Sequence, residues 1–451
     1  MLRKIRIAAA AFFFVLTTLL FLDFTGTLHA WFGWMAKIQF LPALLALNVG
    51  VVAFLVILTL LFGRVYCSVI CPLGVMQDIV SWASGKRRKH RNRFAYSPAL
   101  TWLRRGMLVV FVAAMLAGVG SLLAPYSAYG RIASNLLAPV YAWGNNLLAY
   151  IAGRMDSYAF YSVDVWMKSL STLLVAVVTF AVLFVLAWRS GRTYCNTICP
   201  VGTVLGFLAR YSLFKPRFDT SKCNGCKLCA RNCKASCIDP AAHKIDYSRC
   251  VACMDCLENC RQGAITYTLR RRKPDPAPAP QRPAADAAKT PSDASRRRFL
   301  GLADIVAYSA LRAQEKKVDG GLAVIVDKKI PNRATPVVPP GAQSLRHFNA
   351  HCTGCQLCVS VCPNQVLRPS GKLMTLMQPE MSFERGYCRP ECTKCAEVCP
   401  TGAIRLTDLA GKSSIQIGHA VWIAENCVVN TDGVSCNNCA RHCPAAVSYT
   451  H

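Results

Sequence analysis

Four long uncharged stretches dominate the pattern of hydrophobic and polar positions: Ile7–Leu22, Gln39–Phe62, Gly106–Ala124 and Ser169–Trp188. At ~1.5 Å rise per residue, about 20 helical residues cross a hydrocarbon core of ~30 Å. The pattern therefore predicts four transmembrane helices. The first stretch could instead be the apolar core of a signal peptide, with Arg3, Lys4 and Arg6 as its basic start. No A-x-A site follows at the right place, which favours an uncleaved helix. Beyond about residue 215 the long apolar runs stop. Short segments such as Gly402–Leu406 and Ile415–Ile417 read as small strands between cysteines. The fold class expected is a membrane all-α part of four transmembrane helices plus small α+β bacterial ferredoxin-like modules.

Charge orients this arrangement. The loop 63–104 carries Arg64, Lys86, Arg87, Arg88, Lys89, Arg91, Arg93 and Arg104, whereas the segment between the first two helices carries only Lys37. Cytoplasmic loops hold the excess of Lys and Arg. The N-terminus, the basic loop and the exit of the fourth helix are thus expected on the cytoplasmic side of a bacterial inner membrane, in a multi-pass topology. The net charge of +29 would suit nucleic acid, but no reading motif accompanies it. Much of the excess flanks apolar spans, where it meets anionic lipid headgroups.

The cysteines carry the chemistry. Twenty of the 25 fall into five quartets. Cys223, Cys226, Cys229, Cys233 and Cys250, Cys253, Cys256, Cys260 read C-x2-C-x2-C-x3-C, as do Cys352, Cys355, Cys358, Cys362. Cys388, Cys392, Cys395, Cys399 has one wider gap, and Cys427, Cys436, Cys439, Cys443 opens with a long one. This spacing turns three thiolates onto one 4Fe–4S cluster, while the fourth usually ligates the neighbouring cluster. Disulfide scaffolds belong to small secreted domains, and structural zinc favours cysteine pairs separated by longer loops. Cys237 has no quartet and could replace Cys233, although spacing favours Cys233. Protein-bound haem is not expected, because His29 is the only histidine near a span.

A linker divides the chain. The run PDPAPAPQRPAADAAKTPSDA cannot bury a core and acts as a semi-extended spacer. At its end Ser295-Arg296-Arg297-Arg298-Phe299-Leu300 has the form of a twin-arginine export signal. A basic helix on the membrane surface is the alternative. The domains expected are 1–215, transmembrane; 216–269, a two-cluster ferredoxin; 270–294, linker; 295–312, the twin-arginine-like segment; and 313–451, a polyferredoxin. If the export signal works, the third to fifth quartets lie across the membrane from the first two.

The transmembrane part contains a repeat of its own. Gly63-Arg64-Val65-Tyr66-Cys67-x3-Cys71-Pro72-x-Gly74 returns as Gly191-Arg192-Thr193-Tyr194-Cys195-x3-Cys199-Pro200-x-Gly202. Each copy follows an even-numbered span, as in a duplicated two-helix unit whose pseudo-twofold axis would bring the pairs together. Positions i and i+4 share a helix face. Four convergent thiols could bind a metal centre, act as redox thiols, frame a quinone head group, or simply pack as buried cysteine often does.

With four spans, paired Y-C-x3-C-P motifs and a following double quartet, residues 1–270 resemble the membrane polyferredoxins of the NapH and NosR type. The second half resembles the NapG-type ferredoxin, with its S-R-R-x-F-L signal. The resemblance implies a component of quinol oxidation that passes electrons through 4Fe–4S clusters to a partner oxidoreductase. It assigns Arg64, Tyr66, Cys67, Cys71, Arg192, Tyr194, Cys195 and Cys199 to the membrane motif, as a candidate quinone or redox-thiol site. Cys223 to Cys260 match the cytoplasmic double cluster, and Cys352 to Cys443 match three of four NapG-type quartets. In four-quartet ferredoxins the first and fourth quartets usually exchange ligands. Cys352, Cys355 and Cys358 would then lack a fourth ligand and Cys362 would be orphaned, unless Cys362 closes its own cluster or a C-terminal piece is missing. Four to five clusters are expected. No acid–base constellation and no nucleotide-binding glycine loop accompanies them. The competing function is a redox-linked assembly or regulatory protein for metalloenzyme maturation. A membrane sensor would need an output domain, and none is recognisable.

Overall fold

The apolar runs fold as helices, several of which stop at or near Asn48, Gly63, Gly118 and Gly191. The computed structural model describes residues 2–87, 93–118, 122–157, 159–269, 335–372, 375–384, 386–417 and 424–442. The linker, the twin-arginine-like segment and Cys443 lie outside the described residues.

Helix α1 (Leu2–Leu22) is followed by two short helical segments, Thr27–Phe32 and Trp34–Lys37. The second apolar run is not one helix. It forms α2 (Phe40–Leu45) and α3 (Val49–Phe62), broken where Leu47 adopts φ 52° and the Asn48 side chain accepts the Val51 N–H as an N-cap. Gly63 (φ 74°) ends α3, and the chain turns through α4 (Val65–Val69) into α5 (Pro72–Gly85), with Pro72 at its first position. The third run gives α6 (Thr101–Leu116), which ends before Gly118. Then come α7 (Pro125–Ile132), a π-helical turn at Ala133–Leu137, and α8 (Ala138–Arg154). The fourth run is α9 (Leu170–Ser190), followed by α10 (Thr193–Thr197) and α11 (Pro200–Ala209). Among the described residues two helices, α1 and α9, are long and apolar enough to cross a membrane, each of 21 residues. Of the four such helices expected, α1 and α9 have that length, whereas α3 has 14 residues and α6 has 16.

The α9-α10-α11 sequence repeats α3-α4-α5, and the copies pack crosswise, α5 on α9 and α11 on α3. Helix α1 lies against α4 and α5. Inward faces supply a core that includes Leu20, Phe21, Leu55, Leu73, Leu183 and Leu205. Outward faces carry exposed apolar side chains, among them Phe12, Phe54, Val109, Val110, Val178 and Val182.

The first ferredoxin module consists of β1 (Phe214–Phe218), α12 (Leu228–Arg231), β2 (Ile238–Asp239), β3 (Lys244–Ile245), α13 (Asp255–Asn259) and β4 (Ile265–Leu269). Antiparallel β1 and β4 pair with Phe214 opposite Leu269 and Phe218 opposite Ile265, and β2 pairs with β3. The C-terminal module contains α14 (Leu345–His351), α15 (Leu357–Ser360), antiparallel β5 (Leu367–Pro369) and β6 (Pro379–Met381), α16 (Lys394–Glu397) and α17 (Leu409–Ser413). The small strand expected at Ile415–Ile417 is not formed, and residues 402–406 are bend and coil. Residues 1–271 and 333–451 form one unit.

Candidate iron–sulfur sites

Three loops share one backbone device. In Cys223–Cys229, Cys250–Cys256 and Cys352–Cys358, the two residues flanking the middle cysteine take left-handed φ: Gly225 and Lys227, Ala252 and Met254, Gly354 and Gln356. That turn coils the loop around a point so that three thiols share one side. Glycine suits the first of these positions, where it adopts positive φ without a Cβ penalty. The Cys388–Cys395 loop has one more residue in its first gap and no left-handed residue between its cysteines.

Each of the first two quartets shares a pocket with the last cysteine of the other. Cys223, Cys226 and Cys229 line one pocket with Cys260 from the second quartet. Cys250, Cys253 and Cys256 line another with Cys233 from the first. Cys237 lines that second pocket too, its sulfur 3.5 Å from that of Cys233. The hydrogen bond from Cys237 holds the Cys233 thiol below its ordinary value, and the same bond pushes Cys237 up. Burial pushes Cys229 up to about 11. A thiol in such a cage is protonated until a metal displaces the proton.

The C-terminal module repeats the arrangement. Cys399 lies within Coulombic range of Cys352, Cys355 and Cys358, and Cys362 within range of Cys388 and Cys395. The third and fourth quartets thus lie against each other, with Cys399 beside Cys352, Cys355 and Cys358, where the resemblance implied that a further quartet would stand. Of the fifth quartet, Cys427 is half-buried while Cys436 and Cys439 are exposed.

Among the described residues no three His, Cys, Asp or Glu side chains close on a point that would hold a single metal ion. Backbone N–H donors also reach the sulfurs, such as Val366 N to Cys362 Sγ at 3.3 Å. Such hydrogen bonds tune a cluster's potential.

The two Y-C-x3-C-P motifs meet. Cys67, Cys71, Cys195 and Cys199 are all buried, at 5–6% exposure, and lie within Coulombic range of one another. Arg64 and Arg192 are both fully buried and cross between the copies. Arg64 Nη2 donates to Cys195 O (3.2 Å) and Cys67 Sγ (3.7 Å); Arg192 Nη1 donates to Cys67 O (2.8 Å) and Cys195 Sγ (3.9 Å). The tyrosines do not aim at the thiols with their hydroxyls. Tyr66 Oη donates to Gln39 Oε1 and accepts from Phe40 N, and Tyr194 Oη donates to Leu123 O.

Several side chains at this centre were not singled out from the motifs. Gln77 Nε2 donates to Cys195 Sγ at 3.3 Å, and Asn196 Oδ1 accepts from Arg64 Nη1 at 2.9 Å. Asp78 accepts from Arg6, Arg192 and Lys234. None of the three recurs in the other copy, where Leu205, Ser68 and Gly206 stand instead, so repetition gave no signal.

The modules attach at opposite ends of the same helices. On α1, Arg3 pairs with Asp255 and Glu258 of the first module, while Thr25, just beyond the other end, accepts from Lys394 of the C-terminal module. Near the start of α6, Arg104 donates to Ser248, and beyond its end Gly118 O accepts from Gln378. At α9, Gly191 meets Lys234, and Ser171 meets Gly371.

Two family models match parts of the chain. A model described as "4Fe-4S binding domain" matches residues 44–90 and 172–221, and one described as "4Fe-4S dicluster domain" matches 351–403. The chain is 33% identical over 132 residues to the methylamine utilization ferredoxin-type protein MauM of Methylophilus methylotrophus, covering 27% of this chain and 54% of that protein. It is 32% identical over 113 residues to the ferredoxin-type protein NapG of Escherichia coli strain K12, covering 24% and 47%. It is 28% identical over 172 residues to the methylamine utilization ferredoxin-type protein MauN of Paracoccus denitrificans, covering 38% and 48%. The chain spans about half the length of these curated relatives. No solved structure matches it. Parts of the chain thus match 4Fe–4S binding models and are similar to the ferredoxin-type proteins MauM, NapG and MauN.

Proposed function

We propose that this protein is a multi-pass inner-membrane electron carrier that links the quinone pool to a partner oxidoreductase, with its two ferredoxin modules on opposite membrane faces. The observation that carries the reading is the attachment of the two modules at opposite ends of α1, α6 and α9. Helix α1, with 21 residues, is ~30 Å long, about the hydrocarbon thickness. The exposed apolar faces of α3, α6 and α9 suit lipid contact. Helices α3 and α6 are too short to cross alone. In this reading α2 extends α3 across its break. The basic segments then place the 216–269 module in the cytoplasm, and the twin-arginine-like segment directs 313–451 outward.

Bound at the quartets, 4Fe–4S clusters supply one-electron transfer. The chain's own residues hold the ligands, exclude water and place donors on the sulfurs. Cys223, Cys226, Cys229 with Cys260, and Cys250, Cys253, Cys256 with Cys233, would hold the first pair. Cys352, Cys355, Cys358 with Cys399, and Cys388, Cys392, Cys395 with Cys362, would hold the second. Cys427, Cys436, Cys439 and Cys443 would hold a fifth. The names of MauM and MauN tie those relatives to methylamine utilization; the donor or acceptor of this chain would be an oxidoreductase.

Two measurements test the proposal. Menaquinol or ubiquinol added anaerobically to membrane vesicles should reduce the clusters, read by low-temperature EPR, and clusters that stay oxidised would sink the quinone link. Protease added outside spheroplasts should cut the 335–417 module and spare 216–269; sparing of both would place them on one side.

A further inference from the structure

The Y-C-x3-C-P thiols are left over once the ferredoxin quartets are filled, and their surroundings ask for negative charge. Arg64 is fully buried and, among the described residues, has no carboxylate partner: it donates to Asn196 Oδ1, Ser248 O, Cys195 O and Cys67 Sγ, and its Nε has no partner. A guanidinium cannot shed its proton in a protein, and a buried charge without a counter-charge is costly. Arg192 has Asp78 as counter-ion, yet its Nη2 is also unpartnered. Four neutral thiols would leave Arg64 uncompensated. Four thiolates on a metal–sulfur core would compensate it.

The sulfurs also receive donors as cluster ligands do: Gln77 Nε2 to Cys195, Gly202 N to Cys199 at 3.4 Å, and each arginine to the first cysteine of its own motif. The glycines of the motifs are explained by the same crossing. A Cβ at Gly74 would stand 2.6 Å from Arg192 Nη1, and one at Gly202 would stand 2.8 Å from Arg64 Nη2. Tyr66 and Tyr194, spent on internal hydrogen bonds, leave no hydroxyl for a quinone head group.

We propose that Cys67, Cys71, Cys195 and Cys199 ligate one iron–sulfur cluster, shared between the two copies of the repeat and flanked by Arg64 and Arg192. Neither matched 4Fe–4S segment, 44–90 or 172–221, contains more than one cysteine pair, so the site is complete only when the copies meet. Its position is central. Arg64 bonds the carbonyl of Ser248, two residues before Cys250. On the other side Arg131 lies within Coulombic range of both Tyr194 and Cys355. A redox centre here stands between the two ferredoxin modules. The inference rests on the iron–sulfur character of the chain and is independent of the quinone link and of sidedness.

The test is iron and acid-labile sulfide per protein, with Mössbauer and EPR spectra, on the anaerobically purified full chain and on the Cys71→Ser/Cys199→Ser variant. The expected result is loss of the iron of one cluster, about four ions for a 4Fe–4S core, with the spectra of the ferredoxin modules unchanged. A folded variant that keeps all its iron overturns the proposal, as does zinc in place of iron at the tetrad. Should that variant not fold, Gln77→Met decides: removing its N–H···S bond should shift the midpoint potential of one cluster component and no other. A titration in which no component moves overturns the proposal. Vesicles that fail to take electrons from quinol while this iron is present would refute the quinone link alone.

Discussion

On Asp78 the helical repeat, α1 and the first ferredoxin module converge, and Asp78→Asn tests that convergence. Its carboxylate accepts from Arg192 Nε at 2.7 Å, Arg6 Nη1 at 3.1 Å and Lys234 Nζ at 3.1 Å. Arg192 is fully buried, and the other three side chains are 9–11% exposed, so solvent screens little. Burial works against the ionised carboxyl, but Arg192, Lys234 and Arg6 outweigh it and hold Asp78 well below the usual carboxylate range. An amide of the same shape leaves three cations facing a neutral group. Removing one partner of a buried pair costs about 3–5 kcal/mol, which is roughly two to three and a half orders of magnitude in an opening equilibrium. Lys234 retains Asp255 at 3.0 Å, which argues for the lower end. The assay is hydrogen exchange on the full chain in detergent, following amides of 228–260 and of α10. Protection should fall by about a hundredfold or more in both segments together. Unchanged protection would refute the view that this carboxylate ties the module to the helices. Because the folded carboxyl is depressed, its contribution is present above the unfolded value of about 4. It is lost as pH falls through the folded value, so the difference between parent and variant should vanish only in strong acid.

Other expectations follow from the ligand exchange and the docking. Cys399→Ser should abolish the cluster of Cys352, Cys355 and Cys358 and leave that of Cys388, Cys392 and Cys395, with Cys362→Ser doing the reverse; EPR that reports loss at the residue's own quartet would contradict the exchange. Cys233→Ser should retain the second cluster through Cys237, whose sulfur is 3.5 Å away, whereas the double variant should lose it; equal iron loss in both would rule Cys237 out as a substitute. Gly130→Ala would put a Cβ 2.4 Å from Cys355 O and 2.8 Å from the Phe21 ring. Overpacking of this kind costs about 1–3 kcal/mol, so limited proteolysis should release the 335–417 module faster, and an unchanged rate would show that the contact yields freely.

The cysteine spacing made the ferredoxin loops legible, because C-x2-C-x2-C constrains the backbone to one tight turn. The same left-handed pair recurs at Ala252 and Met254 and at Gly354 and Gln356. The duplicated motif likewise announced that Cys67 and Cys195 would meet. The neighbourhood of the third and fourth quartets was not legible, since pairing is a tertiary property and spacing within one quartet does not say which neighbour stands opposite. Helix length was overestimated for the second and third runs: hydropathy registers an apolar stretch but not the cap at Asn48 or the stop at Gly118. Asp78, Gln77 and Asn196 were invisible because each serves one side of a pseudo-symmetric centre, and repetition was the only signal available there.

The glycines show how closely the modules must approach the helices. Gly206 on α11 lies under Ser248 O, where a Cβ would be 2.4 Å away; Gly130 on α7 lies under Cys355 O, also at 2.4 Å; and Gly191 at the end of α9 lies under Lys234 O at 2.5 Å. All three contacts are to main-chain carbonyls of cluster-binding loops or their immediate flanks, one module at each end. A side chain at any of these positions would lift the loop from the helix. For stability alone a flexible side-chain interface would serve as well. Backbone-to-backbone contact instead minimises the distance between each ferredoxin loop and the buried thiols, and electron tunnelling falls steeply with distance. The tetrad touches the first module through Arg64 and Ser248 and approaches the second through Tyr194, Arg131 and Cys355. A chain that only anchored two independent ferredoxins would need neither these glycines nor two buried arginines aimed at the thiols between them.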